Sequence, residues 1–355
     1  MRVKEAEEKL KLLQEDIDVN GHTDNMLEQE KIAQIEYQKA LDIEEAFWEE
    51  KSKTNWHLEG DRNTSYYHRI TKIKQATKLI TTLRDGAQII NDPELIALHT
   101  TNHFQNIFCA SSVLQASSLV EDCIPNLVSE QSNTILTALP SNSEIHNAVF
   151  SLSRDSSPGP DGFGAYFYQI YWDIIKKDMI QAVQEFFLTG KLLNNYNSNS
   201  IVLIPKTSNA DTIGDFRPIA LANFKFKVIS KILADRLAVL MPHIISKEQR
   251  GFIKGRNIKD CIFLASEAIN LLEKKAFGGN IAFKIDIAKA FDTLDWSFLL
   301  KVLKSFGFNS KFCGWIQVIL ESAKLSISIN GKQHGFFNCT RGVRQGDPLS
   351  PLLFV

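Results

Sequence analysis

The stretch that most limits the possible folds is Phe283-Lys-Ile-Asp-Ile-Ala-Lys-Ala-Phe-Asp-Thr-Leu-Asp-Trp296, where a short apolar run ends on a carboxylate and turns at once into a helical pattern. Ile281, Ala282, Phe283 and Ile285 suit a buried strand. Beyond them Asp295 is placed to cap a helix carrying Trp296, Leu299, Leu300, Leu303 and Phe306, which Gly307 closes. Asp286 is the pivot, because a carboxylate at the end of a core strand is costly to bury unless something positive meets it. On the residues alone two readings stay open: hydrogen bonds to the next turn, where Asp is a favoured residue, or a metal ion.

Two further stretches narrow the choice. Arg341-Gly-Val-Arg-Gln-Gly-Asp-Pro-Leu-Ser-Pro-Leu-Leu-Phe354 follows a predicted hairpin, Leu325 to Asn330 and Lys332 to Phe337, whose Asn330-Gly331 turn is a strong two-residue signal. Gly346 lets backbone approach a ligand, and Pro348 or Pro351 can open a helix. The other stretch pairs Ser200-Ile-Val-Leu-Ile-Pro-Lys206 with Asp215-Phe-Arg-Pro-Ile-Ala-Leu221, two strand-like runs bearing a Lys and an Arg.

Together these three stretches resemble the reverse transcriptases of non-LTR (LINE-type) retrotransposons, of the kind common in plant genomes. The resemblance covers about residues 143 to 355, and Ser157-Pro-Gly-Pro-Asp-Gly-Phe163 and Trp56-His-Leu-Glu-Gly-Asp-Arg-Asn-Thr64 are also similar to that family. It implies an α+β fold, the fingers and partial palm of a right-hand polymerase preceded by a helical linker region. The family's next signature, an aromatic-any-Asp-Asp turn, is absent from the sequence. On this resemblance the chain is expected to be a piece of a polyprotein, without its endonuclease and its C-terminal palm and thumb, and inactive alone.

The formal net charge of -1 hides a separation of sign. Residues 1 to 50 hold 6 Lys or Arg against 15 Asp or Glu, whereas residues 201 to 259 hold 11 against 4. Only the basic region suits a polyanion. Five cysteines, at 109, 123, 261, 313 and 339, form no C-x-x-C pair, so neither a zinc site nor a disulfide framework is indicated. The N-terminus is a charged helix pattern rather than a signal peptide, and no apolar run approaches the ~20 residues that span a bilayer. Nucleus or cytoplasm is therefore expected.

In chain order, residues 1–53 read as an acidic helical linker, two helices broken near Asn20-Gly21. Residues 54–142 form a basic and aromatic connecting region, in which Trp56, Tyr66, Tyr67 and His68 either stack on single strands or lie half-buried under Lys and Arg. A small hairpin at 79–90 and a helix opened by Asp92-Pro93 come next, and the Ser- and Asn-rich 109–143 marks a domain boundary. Residues 143–355 form the third region. There a long amphipathic stretch from Phe167 to Phe187 is core, and a helix from Phe224 to about Leu240 turns Val228, Ile229, Ile232, Leu233 and Leu237 inward. Its Lys225, Lys227, Lys231 and Arg236 can face out, and Gln249 to Arg256 is a basic, Gly-punctuated loop before a helix from Ile258 to Lys275.

The resemblance also assigns roles. Asp286 is the first metal carboxylate, with the Ile287 carbonyl a further ligand, in a site for two Mg²⁺ ions, with Mn²⁺ an alternative. Asp292 and Asp295 are weaker candidates, since capping explains residues in a helix-opening turn. Lys206 and Arg217 match cations on the triphosphate, and Phe291 matches the aromatic under the incoming sugar, with an ordinary core Phe as the alternative. Gln345 and Gly346 match the segment lining the nucleotide pocket, with Arg344 and Asp347 supporting it. RNA template, DNA primer and dNTP are the implied partners, and Lys225, Lys227, Lys231, Arg250, Lys254 and Arg256 the expected nucleic-acid contacts. The competing reading is a relic that binds RNA without chemistry.

Overall fold

The computed structural model describes residues 2–52, 67, 69, 71–73, 79–109 and 118–355. They divide into two compact units, Met1–Leu79 and Ile80–Val355. The first contains α1 (Arg2–Asn20) and α2 (Asp24–Ser52), broken at Gly21 as the pattern predicts. The two run antiparallel, with Lys9 Nζ 2.7 Å from Glu36 and Gln14 donating to Glu30 at 2.9 Å. Little apolar surface is sealed between them: Ala33 is buried, while Leu12, Val19, Ile32, Ile35, Ile43 and Phe47 are exposed. Trp56 through Thr64, Tyr66 and His68 lie outside the described residues. Tyr67 is buried, so this ring is core rather than a stacking platform.

The second unit begins with the hairpin β1 (Leu83–Asp85) and β2 (Gln88–Ile90), followed by α3 (Pro93–Phe108). Asp92 caps α3 by accepting from the Glu94 and Leu95 amides at 3.0 and 2.9 Å, with Pro at the first turn. The apolar face of α3, Ile96, Phe104, Ile107 and Phe108, shares a core with Leu83, Ile201, Leu325, Ile327 and Phe337. The Ser- and Asn-rich stretch is therefore no boundary between compact units. The hairpin and α3 before it pack on the same sheet as the strands after it, and the break falls at Leu79 instead.

That sheet has the order β4-β3-β5-β6. β3 (Ser198–Pro205) and β4 (Phe216–Ala222) pair antiparallel, β5 (Lys324–Ile329) runs parallel to β3, and β6 (Lys332–Asn338) returns antiparallel on β5. The Asn330-Gly331 turn has φ of 50° and 83°, the left-handed pair a two-residue hairpin needs.

A helical layer fills the other core. After α4 (Leu119–Cys123), α5 (Glu130–Leu136) and α6 (Asn142–Ser151), the expected long helix is divided at Tyr171 into α7 (Ala165–Ile170) and α8 (Trp172–Thr189). α9 (Phe224–Ile244) is central, with Phe224, Phe226, Val228, Ile229, Ile232 and Leu233 buried against Phe186, Phe187 and Trp315. α12 (Trp296–Ser305) and α13 (Ser310–Glu321) complete the layer beyond α10 (Ile258–Leu272) and the single turn α11 (Ala290–Thr293), and α14 (Ser350–Phe354) ends the chain. Asp295 caps α12 through the Phe298 amide at 2.8 Å, as its position predicts. No helix among the described residues is long and apolar enough to cross a membrane.

One expectation fails in this unit. Residues 281–287 form no strand, and Ile281, Phe283 and Ile285 are 76%, 86% and 85% exposed. The apolar alternation is present, but a strand needs a neighbour to satisfy its backbone groups, and no described strand pairs with this run. The preceding α10 forms as predicted, with none of its residues buried.

Candidate functional site

Four segments meet along β4. Ile204 pairs with Arg217, so the two-residue period of a strand puts Arg217 and Lys206 on one face of β3–β4. Both are exposed. Lys206 is steadied by donating to the Gly214 carbonyl at 2.7 Å.

The second segment, residues 341–347, lies along β4: the Ala220 amide donates to the Gln345 carbonyl at 2.8 Å. Gly346 has φ of 111°, and a Cβ there would lie 2.8 Å from the Ala220 carbonyl oxygen. Only glycine allows this approach of backbone to backbone. The third segment, α11, is fixed to the same loop. Val343 N donates to Phe291 O and Gly342 N to Leu294 O, both at 2.7 Å, and Trp296 Nε1 donates to the Gly342 carbonyl at 2.8 Å. A Cβ on Gly342, itself at φ of 83°, would meet the Asp292 carbonyl oxygen at 2.5 Å.

Beneath the loop lies a buried polar lock. Arg344 donates to Asn197 Oδ1 at 2.7 Å and pairs with Asp347 at 3.2 Å, and its guanidinium lies 4.9 Å above the Phe226 ring. Asp347 also accepts from the Ser230 hydroxyl and from the Leu349 amide. Asn197 at the start of β3 and Ser230 on α9 thus hold both ends of the Gln345-Gly346 pair. A fourth segment, the turn cluster at 156–162, is tied in where Asn223 Oδ1 accepts from the Asp161 amide at 3.1 Å.

Several sequence-derived assignments change on this geometry. Lys227 does not face out. α9 is buried from Phe226 to Ser230, so the side chain lies inside, where burial lowers the ammonium pKa against the opposing pull of Asp347 and Asp161. Arg236 forms a two-pronged pair with Glu144 at 2.7 and 2.8 Å and also donates to the Leu136 and Ala138 carbonyls. Arg256 folds back on the end of α9, donating to the Pro242, Ile245, Ser246 and Gln249 carbonyls. Lys231 pairs with Asp235, and Arg250 lies 3.6 Å from Asp260. Lys225 lies over the Tyr196 ring, and Lys254 is exposed. The expected basic face is therefore largely committed to internal contacts.

Asp292 is not a capping residue. It is 5% exposed and accepts from the Gln345 side-chain amide at 3.2 Å. Burial pushes its carboxyl up to about 6, against the lowering effects of the Gln345 hydrogen bond, Lys289 and Lys206. In the sequence it sits between Phe291 and Thr293, with nothing to mark it as buried. Phe291 is half-buried and stacks on Phe354 with centroids 4.6 Å apart. Asp286 and Ile287 lie on the exposed 281–287 segment. Among the described residues no three His, Cys, Asp or Glu side chains gather to hold a metal ion, so these residues do not by themselves make the expected two-metal site.

Three of these four segments, all but the turn cluster at 156–162, fall within the match to a known family. Residues 204–355, from the end of β3 through α14, match the model for "Reverse transcriptase (RNA-dependent DNA polymerase)", and this part of the chain is a reverse transcriptase domain. Across 298 residues, 83% of this chain, the sequence is 29% identical to the transposon TX1 uncharacterized 149 kDa protein of Xenopus laevis. It is 30% identical over 57% of its length to the Pol polyprotein of the type-2 retrotransposable element R2DM of Drosophila melanogaster, and 28% identical over 57% to that of a type-1 element R2 of Nasonia vitripennis. The sequence is thus similar to proteins of retrotransposable elements over most of its length, and to the reverse transcriptase family over residues 204–355. It spans 22% of the Xenopus relative and 19% of each insect one.

Proposed function

We propose that the chain contributes to RNA-directed DNA synthesis, holding a deoxynucleotide for addition to a DNA primer on an RNA template. The observation that carries this reading is the seating of Gly346 on β4, which sets Gln345 against the strand that carries Arg217 and pairs with the one ending before Lys206. β3–β4 then serves as the fingers, and the hairpin β5–β6 with residues 341–354 as part of the palm. Arg217 offers a planar fork to the phosphates and Lys206 a point charge, both on a face open to solvent. Phe291, stacked on Phe354, presents an edge beside the same loop. Lys225 and Lys254 are the cations best placed to meet template or primer phosphates.

The test is template-directed nucleotide binding. The chain is mixed with an RNA template and a dideoxy-terminated DNA primer, and the affinity of each deoxynucleotide is measured. The complementary nucleotide should bind more tightly than the other three. Arg217→Ala should weaken it about tenfold or more whichever base is templated, since a charge-assisted hydrogen bond contributes about 1.5–3 kcal/mol. Equal affinity for all four nucleotides in the unaltered chain would remove the polymerase reading and leave nucleic-acid binding alone.

A further inference from the structure

The Gln345 side chain has two chemically distinct ends, and the partner of one decides the availability of the other. Its Nε2 lies 3.2 Å from Asp292 Oδ1. An ionised carboxylate has no proton to give, so it must face the amide nitrogen; the choice between the two amide orientations is set by charge. No described residue donates to Oε1. Asp292 cannot readily move away, because the Asp292 amide donates to the Lys289 carbonyl at 2.9 Å and the Asp292 carbonyl is pressed against Gly342.

We propose that Asp292 is a positioning residue that sets which end of the Gln345 amide is offered to the nucleotide. With Asp292 ionised, Oε1 is presented as an acceptor, which favours a hydroxyl or amino donor on sugar or base and turns away a phosphate oxygen. With Asp292 protonated, its O–H donates to Oε1, the amide reverses, and Nε2 is offered instead. The ligand half of this proposal rests on the reading of Gln345 as part of the nucleotide site. The charged groups facing the carboxylate are Lys289 and Lys206, with His103 of α3 3.4 Å from the Lys289 ammonium, and burial pushes the carboxyl up to about 6, inside the range where a chain can be studied folded.

Two measurements test it. In the full chain with glutamine side chains ¹⁵N-labelled, the Gln345 NH₂ signal, identified by its loss in Gln345→Met, should shift with a midpoint near pH 6 and should not titrate in Asp292→Asn. A signal that stays fixed from pH 4.5 to 7.5, or that titrates equally in Asp292→Asn, overturns the proposal. The second measurement is the affinity of deoxythymidine triphosphate for the complex with RNA template and terminated primer, from pH 5 to 8. The unaltered chain should lose several-fold in affinity below pH 6 relative to Asp292→Asn, and the titration of the nucleotide's own phosphate cancels in that ratio. A substitution that merely loosened the fold would shift affinity alike at every pH, and that result overturns the ligand half. If the amide titrates but no pH supports nucleotide binding, the nucleotide-site reading falls and the ligand half with it, while the orientation of Gln345 stands.

Discussion

Residues 341–349 and residues 281–287 carry comparable signals as sequence, yet the first is bonded on every side and the second is exposed. The first stretch contains two glycines that only a particular backbone path requires and an Arg and an Asp that neutralise each other within the fold. Each of its demands is met by β3, β4, α9 or α11. The second stretch contains an apolar alternation whose demand is a neighbouring strand and a covering layer, and no described strand runs beside it. The difference shows what local sequence can specify. A positive φ or a short-range ion pair is a requirement a segment states about itself, whereas an alternating strand states only that something must cover it.

The comparison breaks most visibly if the lock beneath 341–349 is not structural. Arg344 and Asp347 have side chains 7% and 2% exposed. Arg344→Met should leave Asp347 in the interior without its guanidinium partner and cost about 3–5 kcal/mol in urea unfolding, by precedent for broken buried pairs. Removing both charges together, as in Arg344→Met with Asp347→Leu, should recover a large part of that loss. A loss below about 1 kcal/mol in the single variant would mean the pair is open to water.

A smaller effect of opposite sign belongs to Asp292, on the rim of the same region. Its folded pKa is raised to about 6 from the ordinary carboxylate value of 3.8, so the stability it contributes is complete below pH 4 and is lost as pH rises through 6. At neutral pH the buried charge is a burden. Two pKa units at ~1.4 kcal/mol each put that burden at about 3 kcal/mol, so Asp292→Asn should stabilise the chain by up to that amount at pH 7.5 and not at all at pH 4. Thermal unfolding at the two pH values measures it, and equal melting shifts at both would assign the change to packing instead of charge.

Much of the fold is legible in the sequence because its elements announce themselves locally. Asp92-Pro93 and Asp295 cap helices where their positions predict, and Asn330-Gly331 closes a hairpin. The site is less legible, for three physical reasons. α9 is buried without a break from Phe226 to Ser230, so an amphipathic pattern cannot sort the lysine within that run, and the expectation of an outward Lys227 fails. Arg236 and Arg256 are spent on carbonyls and a carboxylate that are distant in the sequence or displayed only once a helix ends. Asp292 looks like one more polar residue in a helix-opening turn, and its partner Gln345 is 53 positions away.

The smallest expected effect is the sharpest test of the contrast. Asp286 is the residue the sequence singles out above all others, and it is exposed on a segment with no described strand beside it. Substitutions at exposed sites away from caps and ion pairs usually change stability by less than about 0.5 kcal/mol, so Asp286→Asn should leave the urea midpoint unchanged. Hydrogen exchange should agree: amides of 281–287, without ladder partners, should exchange far faster than those of Val343 and Leu349, which are bonded to Phe291 and Asp347. Slow exchange across 281–287, or a loss above about 1 kcal/mol in Asp286→Asn, would show that in solution this segment is covered and its carboxylate engaged. The apolar alternation of Ile281, Phe283 and Ile285 would then have found the neighbour it requires.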